Sequence, residues 1–262
     1  MTTTEYTDHH GPEGLLVRGT VVVVPGRGES RATYERFGRR LAADAYRVRV
    51  IDPPALGATR LSDVLDRFGA ALATAVEDTV PEGADGVVRP LVLAGADTGA
   101  LAIAALPTGP EPDGVPRPDA VVLAGLPGPG RTAATAAGSW EDELDVRTSC
   151  PTHRARLADD TRFRRGTLAE AVDPALLTAA YESEPAVPAL LLTGDADPLA
   201  DRDALDRAAK SWPRARLAVV RGGRHDVLND LQHRSVAAEV VTFLETLRNG
   251  LVPLVTVESS AW

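Results

Sequence analysis

Residues 87–105 read Val-Val-Arg-Pro-Leu-Val-Leu-Ala-Gly-Ala-Asp-Thr-Gly-Ala-Leu-Ala-Ile-Ala-Ala. The apolar run up to Ala94 predicts a short buried strand, and Leu101 onward predicts a helix packed by small side chains on every face. Between them lies Gly95-Ala96-Asp97-Thr98-Gly99. A strand, this pentapeptide and a helix have the spacing of a G-x-S-x-G nucleophile elbow, with aspartate where serine usually stands. The spacing has a steric origin. A sharp reversal brings the residues two before and two after its tip together, so both must lack bulk. The tip itself is expected at positive φ, which aspartate tolerates better than most residues. On its own the pentapeptide fits equally well a turn in which Asp97 caps the next helix. The rest of the chain decides.

Outward from the elbow, strands and helices alternate. Leu15 to Val24 predicts a first strand, followed by Pro25-Gly26-Arg27-Gly28-Glu29 and an amphipathic helix from Ala32 to Asp44. Tyr46 to Ile51 predicts a strand and Leu61 to Val80 a helix. Beyond the elbow, strands are expected at Asp119–Gly125, Pro188–Thr193 and Arg216–Val220. Helices are expected at Asp201–Ser211 and Leu231–Leu247. This alternation means βαβ units and a mostly parallel sheet flanked by helices. In such a sheet the loops after the strands share one rim, where ligands bind. The start Gly26-Arg27-Gly28, with Asp52 at the next strand end, admits a dinucleotide-binding reading. Arg31 stands at the third glycine's place, and Arg27 and Glu29 would crowd a pyrophosphate.

Residues 126–186 interrupt the alternation with charged helical segments and no convincing strand. They read as a helical cap inserted into a core formed by 1–125 and 187–262. Within the cap, Trp140 and Tyr181 are candidate substrate contacts, as is Tyr34 beside the first loop. Arg147, Cys150 and His153 are weaker ones. Residues 1–13 read as a flexible lead-in, and 249–262 as an apolar tail suited to the body or to a partner subunit, so a homodimer is possible.

Composition narrows the function classes. A net charge of −9 over 262 residues argues against nucleic acid and anionic membrane as partners and leaves a small-molecule substrate. Cys150 is the single cysteine, so no internal disulfide forms. No apolar run approaches membrane-spanning length and no leader pattern opens the chain, so a cytoplasmic protein is expected. Histidine and cysteine are too scattered for a metal set, and no cofactor is implied.

Asp97, Asp197 and His225 each follow a predicted parallel strand. Their chain order is nucleophile, acid, histidine. The segments around them, Pro25-Gly26-Arg27-Gly28-Glu29 with Tyr34, Thr193-Gly194-Asp195-Ala196-Asp197-Pro198-Leu199 and Gly223-Arg224-His225-Asp226, resemble those of α/β-hydrolases of the monoglyceride lipase and lysophospholipase type. The resemblance spans 15–125 and 187–248. It departs in two places: Pro25-Gly26 stands where the family usually has His-Gly, and Asp97 stands for serine. Aspartate at the elbow resembles epoxide hydrolases and haloalkane dehalogenases.

The resemblance implies an α/β-hydrolase fold, a catalytic triad and an oxyanion hole from the backbone N–H groups of Arg27 and Thr98. An aspartate nucleophile is already ionised at neutral pH and attacks an sp³ carbon. His225, oriented by Asp197 with Asp195 as runner-up, then activates water. The expected function is hydrolysis of an epoxide, alkyl halide, ester or lactone. Two alternatives stay open: a lyase, isomerase or cyclase using Asp97 or His225 as an acid–base group, and a catalytically lapsed binding protein.

Overall fold

The computed structural model describes residues 6–56, 60–83, 85–106, 117–129 and 138–260. The first five residues of the expected lead-in and Gly130 of the cap opening lie outside this set. Seven strands form one sheet in the order β1-β3-β2-β4-β5-β6-β7. They are β1 (Thr7–His9), β2 (Gly19–Val24), β3 (Tyr46–Val50), β4 (Leu91–Ala96), β5 (Ala120–Ala124), β6 (Ala189–Gly194) and β7 (Ala215–Val220). All pairs are parallel except β1 against β3. The chain passes from β2 outward to β3, returns to β4, and then builds in the other direction. The sheet therefore reverses its winding between β2 and β4. A crevice opens at such a point, beyond the carboxyl ends of the strands.

Every residue of β2, β4, β5 and β6 is buried, because helices cover both faces. Successive side chains of β2 sort by face. Val22 and Val24 join the core beneath α2 (Leu61–Glu77), α3 (Asp97–Ala104) and α7 (Arg202–Ser211). Val21 and Val23 join the core beneath α1 (Glu35–Ala43) and α8 (His233–Arg248). The segment between β5 and β6 carries α4 (Trp140–Arg147), α5 (Pro151–Asp159), a short 3-10 turn (Thr167–Ala169) and α6 (Pro174–Tyr181). Among the described residues it contains no strand, and no helix of the chain is long and apolar enough to cross a membrane.

One expectation needs correction and another narrows. Thr7–His9 is an edge strand, whereas the polar composition of 1–13 predicted a flexible lead-in. It is pinned by tertiary contacts: Arg49 donates to both carboxylate oxygens of Asp8 at 2.7 and 2.6 Å, and its guanidinium lies 4.3 Å from the Tyr6 ring centre. At the other end, of the two seats expected for the apolar tail, the body is not the one its described residues take. Leu254, Val255 and Val257 are 64–82% exposed. Helix α6 begins at Pro174, where the Asp173 carboxylate caps it by accepting from the Ala175 N–H at 2.8 Å.

Candidate active site

The elbow forms at the winding reversal. Ala96 is the last extended residue of β4, and Asp97 begins α3 with φ +47°. The small residues around it are required by contact. A Cβ on Gly95 would lie 2.6 Å from the Ala100 nitrogen, and one on Gly99 would lie 2.5 Å from the Pro25 carbonyl oxygen. The elbow is thus wedged against the loop after β2, and that wedge brings Arg27 onto Asp97.

Three loops deliver the polar groups. His225 Nδ1 lies 3.0 Å from Asp197 Oδ2, and His225 Nε2 lies 3.3 Å from Asp97 Oδ1. The other Asp197 oxygen accepts the Leu199 N–H at 2.9 Å. Asp195, the alternative acid, is exposed and accepts instead from the Gly222 N–H at 2.6 Å. The backbone N–H of Arg27 donates to Asp97 Oδ2 at 2.8 Å. Thr98, the second expected amide, is buried in the first turn of α3.

A contact that the sequence does not announce dominates the site. The Arg27 side chain folds back on Asp97, with Nε 2.9 Å from Oδ2 and Nη2 2.8 Å from Oδ1. Its remaining nitrogen donates to the carbonyls of Leu168 at 3.2 Å and Glu170 at 2.7 Å. The guanidinium therefore ties the elbow to the segment between β5 and β6. Each Asp97 oxygen accepts from two groups when His225 is protonated, which leaves the carboxylate no open acceptor position.

Electrostatics follow from this enclosure. Burial opposes ionisation of Asp97, but the Arg27 charge and the His225 contact outweigh it and hold the carboxyl well below its usual range. Burial likewise opposes protonation of His225. The Asp197 carboxylate, followed by Asp97, nevertheless raises it to about 10. At neutral pH these shifts favour Asp97 as an anion and His225 as a cation.

Behind this cluster lies a second one. Arg147, fully buried, pairs with Glu143 at 3.0 Å and Asp226 at 3.4 Å, and donates to the Arg27 carbonyl at 2.8 Å. His153 Nε2 meets Asp226 at 3.0 Å. Glu29 accepts from the Gly26 N–H at 2.7 Å and from Tyr34 Oη at 2.5 Å. Burial, then the Asp226 charge, raises its carboxyl to about 7. Arg147, His153 and Tyr34 stand among the candidate substrate contacts, and the i,i+4 spacing of Glu143 and Arg147 fits their pairing.

The three stronger candidate substrate contacts all have partners within the chain. Tyr34 is buried on Glu29. Trp140 packs against Phe163 with ring centres 5.5 Å apart and the planes tilted by 55°. Tyr181 Oη donates to the Pro127 carbonyl at 3.2 Å, and burial and then the Asp201 and Asp197 charges raise its hydroxyl. The loop proposed for a dinucleotide is filled: Gly28 accepts the Arg164 N–H at 2.9 Å, and Arg27 is committed to Asp97.

Known proteins share this architecture. The family model described as "Serine aminopeptidase, S33" matches residues 16–232. No curated protein matches the chain by sequence. Among solved structures, a monoglyceride lipase from Saccharomyces cerevisiae, in complex with a substrate analog, superposes with a TM-score of 0.68 at 16% identity, over 92% of this chain and 91% of that one. A monoacylglycerol lipase from Paleococcus ferrophilus gives 0.66 at 17% identity, over 94% and 100%. A type II thioesterase from the yersiniabactin pathway gives 0.58 at 20%, over 92% and 98%. At these identities the superpositions establish the fold. The family match covers most of the chain, so this protein belongs to the serine aminopeptidase S33 family, a hydrolase of the α/β-hydrolase superfamily.

Proposed function

We propose that this hydrolase opens a small epoxide through a covalent ester on Asp97, with Asp97, Asp197 and His225 as its catalytic triad. One observation carries the reading: His225 bridges two carboxylates and is raised to about 10, so it rests as a cation. A serine nucleophile needs a neutral imidazole to remove its proton. An aspartate nucleophile needs none, and a departing oxygen needs a proton delivered. A cationic histidine 3.3 Å from the attacking carboxylate suits the second case.

The steps balance. Asp97 Oδ1, released from Arg27 as substrate enters, attacks a ring carbon. The bond from that carbon to the ring oxygen breaks on the side away from Oδ1, and the ring oxygen takes a proton from a crevice water, which His225 Nε2 resupplies. Asp97 is now a neutral ester, so one of the two charges that raised His225 is gone and the imidazole is neutral. Held by Asp197, it accepts a proton from water as the water oxygen adds to Asp97 Cγ. The oxyanion forms where Asp97 Oδ2 meets the Arg27 N–H, with the Thr98 N–H as the expected second donor. Collapse expels the alkyl oxygen, which takes the His225 proton and leaves as a diol. The new Asp97 carboxylic acid then ionises to His225 and restores the resting pair. A halide leaving group would not use the histidine proton, which favours the epoxide over the alkyl halide. In this reading residues 126–186 act as the cap, and Leu168 and Glu170 receive Arg27 when it leaves Asp97.

The saturated Asp97 carboxylate favours a second reading, in which the site holds a ligand without turnover. A single turnover in H2¹⁸O separates the two. The covalent route places the label in the peptide bearing Asp97 and leaves the first diol unlabelled. Label in the diol alone means direct attack by water and overturns the nucleophile. No diol from any of a panel of terminal and internal epoxides overturns the epoxide assignment.

A further inference from the structure

A separate cavity of ≈ 490 Å³ lies between α1 and α5, lined by Arg36, Arg39, Arg40, Arg156, His153 and Asn229. None of the triad residues touches it. Glu35 is its one acidic lining residue, and it is already shared by Arg39 at 2.5 Å and by Arg156. Arg36 donates to the Asn229 carbonyl and, at 3.6 Å, to Cys150 Sγ, neither of which is a carboxylate. Arg40 makes no hydrogen bond or ion pair among the described residues, and its Nε is buried without a partner. Asn229 is 2% exposed, and its Oδ1 likewise has no partner.

The charges of this arrangement are set unfavourably against one another. Arg36 and Arg40 stand four residues apart on one helix, a spacing at which like charges repel. The repulsion reaches the neighbouring helix: burial, then the charges of Arg36, Arg40, Arg234 and His153, lower His233 to about 4. In a chain of net charge −9, four arginines around one cavity with one carboxylate between them are not there to balance the protein's own charge. Guanidinium forks match planar and tetrahedral oxyanions bidentately. A half-turn of the Asn229 amide presents its nitrogen to the same ligand, because the two ends of an amide are nearly isosteric.

From this geometry we infer that the α1–α5 cavity is a binding site for a small multivalent oxyanion, bound chiefly by Arg36 and Arg40 and distinct from the elbow. The ligand bears phosphoryl or clustered carboxylate groups, and its charge relieves the repulsion along α1.

Isothermal titration of the full chain with inorganic pyrophosphate and, separately, citrate tests this at low ionic strength and again in 0.5 M NaCl. One saturable site is expected, weakened by salt. The tighter anion of the two distinguishes a phosphoryl from a carboxylate ligand. R40Q removes a side chain with no bond to lose, so the fold is retained and affinity falls about tenfold, the loss of one charge-assisted contact. R36Q/R40Q abolishes binding, and D97N, at a temperature where its circular dichroism matches wild type, leaves it unchanged. Absence of binding at low salt overturns the inference. So does wild-type affinity in R36Q/R40Q, loss of binding in D97N, or binding to phosphatidylglycerol vesicles with none to either soluble anion.

Discussion

His225 is protonated because two carboxylates hold it, and folding strength should report that. Its value in the unfolded chain is near 6.5 and in the fold about 10. A raised pKa contributes stability that is whole below about pH 6.5 and is lost as pH rises through about 10. The melting temperature of the wild-type chain should therefore fall between pH 7 and 10. H225Q, which has no such proton to lose, should show a flatter profile over that interval by differential scanning calorimetry. Parallel profiles would mean that His225 is neutral at rest, and the epoxide mechanism would lose its acid. The three residues of the proposed triad were legible in the sequence, because each follows a predicted strand in a known order. The choice of Asp197 over Asp195 rested on family likeness until geometry separated them: both lie in one short loop, and only its path turns one inward. Arg27 was legible as a backbone donor but not as an ion-pair partner. Its partner lies 70 residues away, and no periodicity encodes a side chain folding back across a crevice.

At the level of elements, the parallel strands were visible because burial on both faces writes itself as continuous apolar runs. Strand β1 was not visible. Three polar residues carry no pattern, and the ion pair between Asp8 and Arg49 supplies what apolar burial supplies elsewhere. Arg49 is nearly buried, with 6% of its side chain exposed. Removing its partner leaves a desolvated guanidinium short of acceptors. D8A should cost about 2 kcal/mol in urea unfolding, within the range for a hydrogen bond to a charged group. It should also free the amides of Thr7–His9 to exchange with solvent while β2 stays protected. A cost near zero would show the strand to be held by its backbone ladder alone.

Across the whole molecule, the elbow and the α1–α5 cavity carry their charge differently. The elbow sets two carboxylates against a guanidinium and an imidazole and is closed. The α1–α5 cavity carries excess positive charge and is open. The exposed tail belongs to neither. Replacing the exposed Leu254, Val255 and Val257 by serine removes apolar surface from water without touching the core, so the melting temperature of L254S/V255S/V257S should change by less than about 2 °C. A larger drop would place the tail in a contact that stabilises the fold.

The ion pair at the elbow also constrains how this site can be reached from, or returned to, one built on serine. Arg27 and Asp97 are both nearly buried, with 11% and 5% of their side chains exposed. Exchanging Asp97 for serine first strands a guanidinium in the crevice. Exchanging Arg27 first leaves Asp97 with His225 and one backbone N–H to offset its burial. Breaking one half of a buried pair typically costs about 3–5 kcal/mol, a large share of the stability of an ordinary domain. The two positions thus form a single unit of inheritance: each is conditional on the other, and a lineage crosses between the two chemistries by a paired change or through a weakened intermediate.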